Sequence, residues 1–114
     1  MHSPIGKTHR QYVAEQREQD PEFAAAYDEA RIEADLALAL TDMRELRNMS
    51  QRDLADATGI KQPMINRLER AAQSPTVPTL FRLVRALGAT VRIDPSGVTV
   101  RPATPSEAVA EHGS

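Results

Sequence analysis

A chain of 114 residues with a net charge of −2 and no cysteine suits one small domain with ragged ends, held without disulfides or a thiolate zinc site. No run approaches the roughly 20 apolar residues of a bilayer-spanning helix, and Met1-His2-Ser3-Pro4 lacks an apolar secretory core. A soluble cytoplasmic protein, with no membrane partner, is expected. The charge is uneven: nine cations meet four anions from Met43 to Ile93 (+5), whereas four cations meet nine carboxylates from Met1 to Asp42 (−5). Either charges segregate by chance in a short chain, or an acidic first part avoids nucleic acid while a basic second part sits on phosphates.

In chain order, Lys7 to Gln19 reads as a short amphipathic helix with Tyr12, Val13 and Gln16 near one face. Asp20-Pro21-Glu22 is a helix start: Asp as N-cap, Pro at the first helical position, an acid in the first turn. Phe23, Tyr27, Ala30 and Ala34 follow along one stripe. No Gly or Pro intervenes until Gly59, so one long helix, or two kinked near Glu33 to Asp35, both fit. Leu36, Ala39, Leu40, Met43 and Leu46 recur at three- and four-residue steps and share a second face. Asn48-Met49 ends that helix.

Ser50 reads as an N-cap with Asp53 in a capping-box position, and a short helix runs to Thr58. Gly59 supplies backbone freedom for a tight turn, and Ile60 plugs the core behind it. The next helix spans about Gln62 to Arg70, with Ile65 and Leu68 inward. Ser74-Pro75 and Val77-Pro78 break the chain. Pro78 starts a last helix that buries Leu80, Leu83, Val84 and Leu87, closed by Gly88. The period then changes to two: Thr90 to Asp94 and Val98 to Arg101 alternate about a Pro95-Ser96-Gly97 turn, a hairpin pattern. A lone hairpin is marginal and needs a partner surface, such as the same hairpin of a second subunit. Pro102 to Ser114 reads as a flexible tail.

The run from Gln51 to Glu69 resembles the Xre/Cro-like helix-turn-helix pattern: Gln51, Leu54-Ala55, Gly59-Ile60, Gln62, Ile65, then Leu68-Glu69. In physical terms Leu54 and Ala55 pack one helix, Gly59 bends the chain, and Ile60, Ile65 and Leu68 seat the second helix with its first turn outward. Such a turn enters the major groove of B-DNA. Gln62 would donate to and accept from adenine, Arg67 would take guanine bidentately, and Asn66 would reach bases or phosphate. Pro63 and Met64 either touch a thymine methyl or are simply exposed. Gln51 resembles the family's phosphate-contacting Gln, and Arg52, Lys61 and Arg70 are candidate phosphate clamps. Lys61 stands where the family usually has a Ser or Thr cap, and Lys has no acceptor. Either Gln62 takes over the capping or Lys61 serves the phosphate grip. Arg44 and Glu69 also match the family, which implies a structural ion pair between the first helix and the reading helix.

A narrower resemblance covers most of residues 12 to 94. Asp20 to Phe23, the acidic helix Ala24 to Asp35, the motif itself, and Ala86-Leu87-Gly88 followed by Val91 to Ile93 look like the HigA-type antitoxins of type II toxin–antitoxin systems. That resemblance implies a homodimeric repressor of its own operon, bound to double-stranded DNA at a palindromic operator with half-sites roughly 34 Å apart. It also implies a small basic RelE/HigB-like ribonuclease toxin as partner, covered by the acidic arm with Tyr12, Phe23 and Tyr27 as apolar anchors. The plainer reading of Phe23 and Tyr27 is that they pack on the first helix of the DNA-binding domain. The rival functions are a stand-alone Xre regulator and a helix-turn-helix adaptor that does not bind DNA.

No enzyme is expected. His2, His9 and His112 lack ligand spacing, Ser50 and Ser96 lack a nucleophile's setting, and no Gly-rich phosphate loop exists; neither metal nor cofactor is expected. The fold class expected is all-α, a lambda-repressor-like helix-turn-helix bundle with an N-terminal helical extension and a short C-terminal β-hairpin. The organisation expected is a partner-binding arm (1–34), a DNA-binding domain (35–88), a dimerising hairpin (89–101) and a tail (102–114).

Overall fold

The structure, a computed structural model, describes residues 8–104. His2, His112 and the tail expected after Thr104 lie outside the described residues. Five helices and a hairpin follow in order: α1 His9–Gln19, α2 Pro21–Leu46, α3 Gln51–Thr58, α4 Gln62–Glu69, α5 Val77–Leu87, β1 Ala89–Asp94 and β2 Gly97–Pro102. The chain divides into two compact units, Met1–Arg31 and Ile32–Ser114.

In the first unit, Thr8 caps α1 in a capping box with Gln11, so the helix begins two residues later than its apolar spacing suggests. Val13 is buried on it. The Asp20 carboxylate accepts from the Glu22 and Phe23 amides at 3.0 and 3.2 Å, which caps α2 as its sequence predicts. Arg17 forks onto Asp28, and the Phe23 and Tyr27 rings stack with centroids 6.1 Å apart.

Helix α2 runs as one helical span from Pro21 to Leu46. In the second unit its buried residues are Leu36, Ala37, Leu40 and Met43, whereas Leu46 is 61 % exposed. The expected stripe thus stops a turn early, because Leu46 is the last helical residue and borders an open groove beside β2. Leu54, Ile60, Ile65, Leu68, Leu83 and Leu87 complete the core.

Two helices close on a left-handed residue that is not glycine. After α2, Asn48 (φ 58°) sends its amide to Glu45, and Met49 sends its own to Arg44. After α4, Ala71 (φ 57°) does the same to Leu68, and Ala72 to Arg67. Both are Schellman closures, which place one residue in the left-handed region. Helix α5 begins at Val77, one residue before the expected Pro78, with Thr76 as its cap. Proline fits there because first-turn amides have no intrahelical partner.

β1 and β2 pair antiparallel from Ala89↔Pro102 to Asp94↔Gly97. Ala89, Val91, Val98 and Val100 pack against the helical core. The hairpin therefore finds its supporting surface within its own chain, whatever a second subunit adds. Pro102, placed in the tail by sequence, is the last residue of β2.

Candidate nucleic-acid interface

Helix α4, the second helix of the motif, is held from beneath. Ile65 and Leu68 are 1 % and 3 % exposed, and Leu54 of α3 is 1 % exposed. The bend between α3 and α4 uses Gly59 at φ 78°, with its amide bonded to the Ala55 carbonyl at 2.8 Å. The Thr58 hydroxyl accepts from the Ile60 amide at 3.1 Å, which draws Ile60 into the core. Ser50 and Asp53 form the reciprocal capping box at the start of α3, both bonds at 2.9 Å.

With α4 so seated, Gln62, Pro63 and Arg67 are exposed, and Met64 is half-buried and packed on the core. Simple exposure, one reading of Met64, is thereby set aside: the thioether faces the hydrophobic side of the helix. Lys61 occupies the N-cap position with no side-chain cap bond, and Gln62 is the first helical residue. Gln62 does not take over the capping. Arg52, Lys61 and Gln62 line one shallow cleft with Asp56 and Gly59. Among the described residues, no carboxylate pairs with Arg52, Lys61 or Arg67.

Gln51, Asn66 and Arg70 are tied into a chain of side-chain bonds. Arg44 donates through Nε and Nη2 to the two Glu69 oxygens at 2.7 and 3.0 Å, and through Nη1 to the Met49 carbonyl at 2.7 Å. The side chains are only 12 % and 6 % exposed. The bond to Glu69 raises the Arg44 guanidinium pKa further above its ordinary value. Gln51 Nε2 donates to Glu69 Oε1 at 3.1 Å. Asn66 Nδ2 reaches Gln51 Oε1 at 3.5 Å, and Arg70 Nη1 reaches Asn66 Oδ1 at 3.5 Å. Gln51 and Asn66 are half-buried. Sequence spacing gave each of them an independent role; no spacing signal marks the bonds that join them.

Of the residues singled out in the first part of the chain, Tyr12 is 51 % exposed on α1, and Phe23 and Tyr27 are half-buried against each other. Sequence reasoning missed Arg47, whose Nε donates to the Leu87 carbonyl at 2.8 Å and Nη2 to that of Gly88 at 3.0 Å. No described helix is long and apolar enough to cross a membrane.

The helix-turn-helix family model, HTH_3, matches residues 40–93, a span that contains α3, α4 and α5. The chain is 32 % identical over 90 residues to antitoxin HigA1 of Mycobacterium tuberculosis, covering 79 % of this chain and 60 % of that protein. It is 36 % identical over 67 residues to an HTH-type transcriptional regulator of Haemophilus influenzae, covering 59 % of this chain and 68 % of the relative. Among solved structures, an HTH_3 family transcriptional regulator from Vibrio cholerae has the same fold, with a TM-score of 0.51 at 24 % identity over 72 % of this chain and 38 % of that one. The motif residues, the seating of α4 on α3 and these likenesses agree: the chain belongs to the Xre-like helix-turn-helix (HTH_3) family.

Proposed function

We propose that the protein is a sequence-specific DNA-binding repressor that acts as the antitoxin of a type II toxin–antitoxin pair. The observation that carries the DNA part is the outer face of α4, with Gln62 and Pro63 of its first turn and Arg67 of its last turn exposed while Ile65 and Leu68 are buried beneath. Gln62 would address adenine and Arg67 guanine in the major groove. Arg52, Lys61 and Arg70 would hold phosphates, which fix register but carry no sequence information. Two copies on a palindrome would present two such helices about one helical turn apart.

The antitoxin part rests on the likeness to HigA1 and on the acidic first part of the chain. Tyr12, with the stacked Phe23 and Tyr27, would supply the apolar contacts to a small basic RelE/HigB-like ribonuclease, and the carboxylates would face its cationic surface. Repression of its own operon completes the reading.

Fluorescence anisotropy with the duplex upstream of the protein's own gene tests the first part. Binding is expected to weaken by about 1–3 kcal/mol in Gln62→Ala and in Arg67→Ala, with the fold intact. Wild-type discrimination between operator and scrambled duplex in both variants would refute direct reading. Co-purification with the product of the adjacent reading frame tests the second. That product is expected to be rich in Lys and Arg and to be lost when Met1 to Asp35 is deleted; its retention would remove the arm as the main contact.

A further inference from the structure

Building on the DNA-binding reading above, we propose that Glu69 fixes which way round the Gln51 and Asn66 amides stand, so that Asn66 turns a carbonyl oxygen outward and selects adenine over guanine. Both Glu69 oxygens accept N–H groups from Arg44. The carboxylate is an acceptor only, and Gln51 must offer it the NH2 end, as its Nε2 does at 3.1 Å. The carbonyl end of Gln51 is then committed to the other side. Asn66 meets that carbonyl at 3.5 Å with its own NH2 end; the opposite rotation would set two carbonyl oxygens against each other. The polarity passes on a second time, leaving Asn66 Oδ1 as the outer atom, where the exposed Arg70 approaches at 3.5 Å.

An amide drawn in isolation can turn either end to a base, because its two ends are nearly equal in size. Here the choice is made by the half-buried chain of bonds from Glu69 through Gln51. Guanine presents two acceptors in the major groove, N7 and O6, and both repel an outward carbonyl. Adenine presents the N6–H donor beside the N7 acceptor. Asn66 Oδ1 matches the first, and the second Nδ2–H, not used by Gln51, matches the other. The Arg70 contact lies at the long limit of a hydrogen bond and gives way to the base as Arg70 moves to a phosphate. Asn66 is thus a specificity-determining residue, and Glu69 and Gln51 are its positioning residues.

The test is selection of binding sites from a randomised duplex library by the full chain and by Asn66→Ala, Gln51→Met and Asn66→Asp, each checked for cooperative unfolding. The position read by Asn66 is the one whose preference Asn66→Ala erases. There, wild type is expected to favour adenine over guanine by about ten- to a hundredfold. Gln51→Met, which removes both ends of the relay, is expected to collapse that ratio at this position alone, and Asn66→Asp, an acceptor at every edge, to exchange adenine for cytosine, whose N4–H2 is a donor. Should Gln51→Met not fold, the exchange in Asn66→Asp decides. A guanine preference, no position answering to Asn66→Ala, or a ratio unmoved by both relay variants overturns the polarity mechanism and leaves DNA binding standing. Enrichment of no sequence by wild type overturns both.

Discussion

The Arg47 guanidinium, just past the end of α2, donates to the carbonyl of Leu87 at the end of α5, 40 residues along the chain. Its second arm takes the Gly88 carbonyl, which also accepts from the Ala103 amide at 2.9 Å beyond β2. One cation thus closes a helix C-terminus, where its charge also suits the dipole, and secures the junction between helices and hairpin. Arg47→Ala is expected to cost about 1.5–3 kcal/mol, the range for hydrogen bonds to a charged group. Gly88→Ala is expected to destabilise as well, since Gly88 lies at φ 61°, a conformation that L side chains rarely adopt. Urea unfolding of both variants measures this. A loss in Arg47→Ala below about 0.5 kcal/mol, the level of an ordinary surface change, would show that the clamp is ornamental.

The Arg44–Glu69 pair should behave differently from a surface ion pair. With both side chains largely covered, removing one partner leaves the other desolvated and uncompensated. Arg44→Ala and Glu69→Ala are each expected to destabilise, by up to the about 3–5 kcal/mol of a fully buried pair. The double variant should lose much less than the sum, because no lone charge remains. A double-mutant cycle by chemical denaturation gives the coupling, and simple additivity would contradict it.

The capping box at α3 sets an acid sensitivity. The Ser50 amide and hydroxyl hold the Asp53 carboxyl below its ordinary pKa. A lowered folded-state pKa means that the unfolded chain takes up the proton first as pH falls. The contribution is therefore complete at neutral pH and declines as pH drops through the usual aspartate range and on to the lower folded value. Asp28, held down by Arg17, follows the same sign in the first unit. Thermal unfolding should place Asp53→Asn below wild type at neutral pH, with the gap closing in acid. A gap that widens on acidification would reverse the assignment. Ser50→Ala is expected to cost about 0.5–2 kcal/mol as the loss of an N-cap.

How much of this was legible from sequence depended on whether the signal was local. Asp20-Pro21, Ser50 with Asp53, Gly59 and Gly88 each carry their geometry in one or two residues, and the elements they bound were readable. The ends of α2 and α4 were read close to Asn48 and Arg70, but the positive φ that Asn48 and Ala71 adopt there was not legible, because no glycine announces it. The largely covered Arg44–Glu69 contact came through family resemblance. The relay through Gln51 and Asn66, and the Arg47 clamp, join residues 15 to 41 positions apart and leave no periodic trace. Leu46 shows the reverse fault: its spacing is that of a core residue, yet it sits where the helix has run out.

Ala71 offers a direct check on the α4 closure. An L-residue other than glycine pays for the left-handed region by roughly 1–2 kcal/mol, part of which glycine returns through the unfolded state. Ala71→Gly is therefore expected to stabilise by up to about 1 kcal/mol, read as a raised denaturation midpoint. A lowered midpoint would mean that the Ala71 methyl makes contacts worth more than the strain.

Lys61 sets stability against the proposed function at one position. It is the N-cap of α4, but its ammonium cannot accept the orphan amides, and no side-chain cap bond forms. A serine hydroxyl would accept one, so Lys61→Ser is expected to stabilise the fold by about 1 kcal/mol. The same change would remove a cation beside Gln62, in the cleft that also holds Arg52. If Lys61 grips a phosphate, the slope of log affinity against log salt should fall by about 1 while the preference among sequences stays unchanged. Affinity titrations over a salt series, alongside unfolding curves, separate the two effects. A more stable variant with an unaltered slope would leave Lys61 outside the phosphate contacts and shift that role to Arg52 and Arg70.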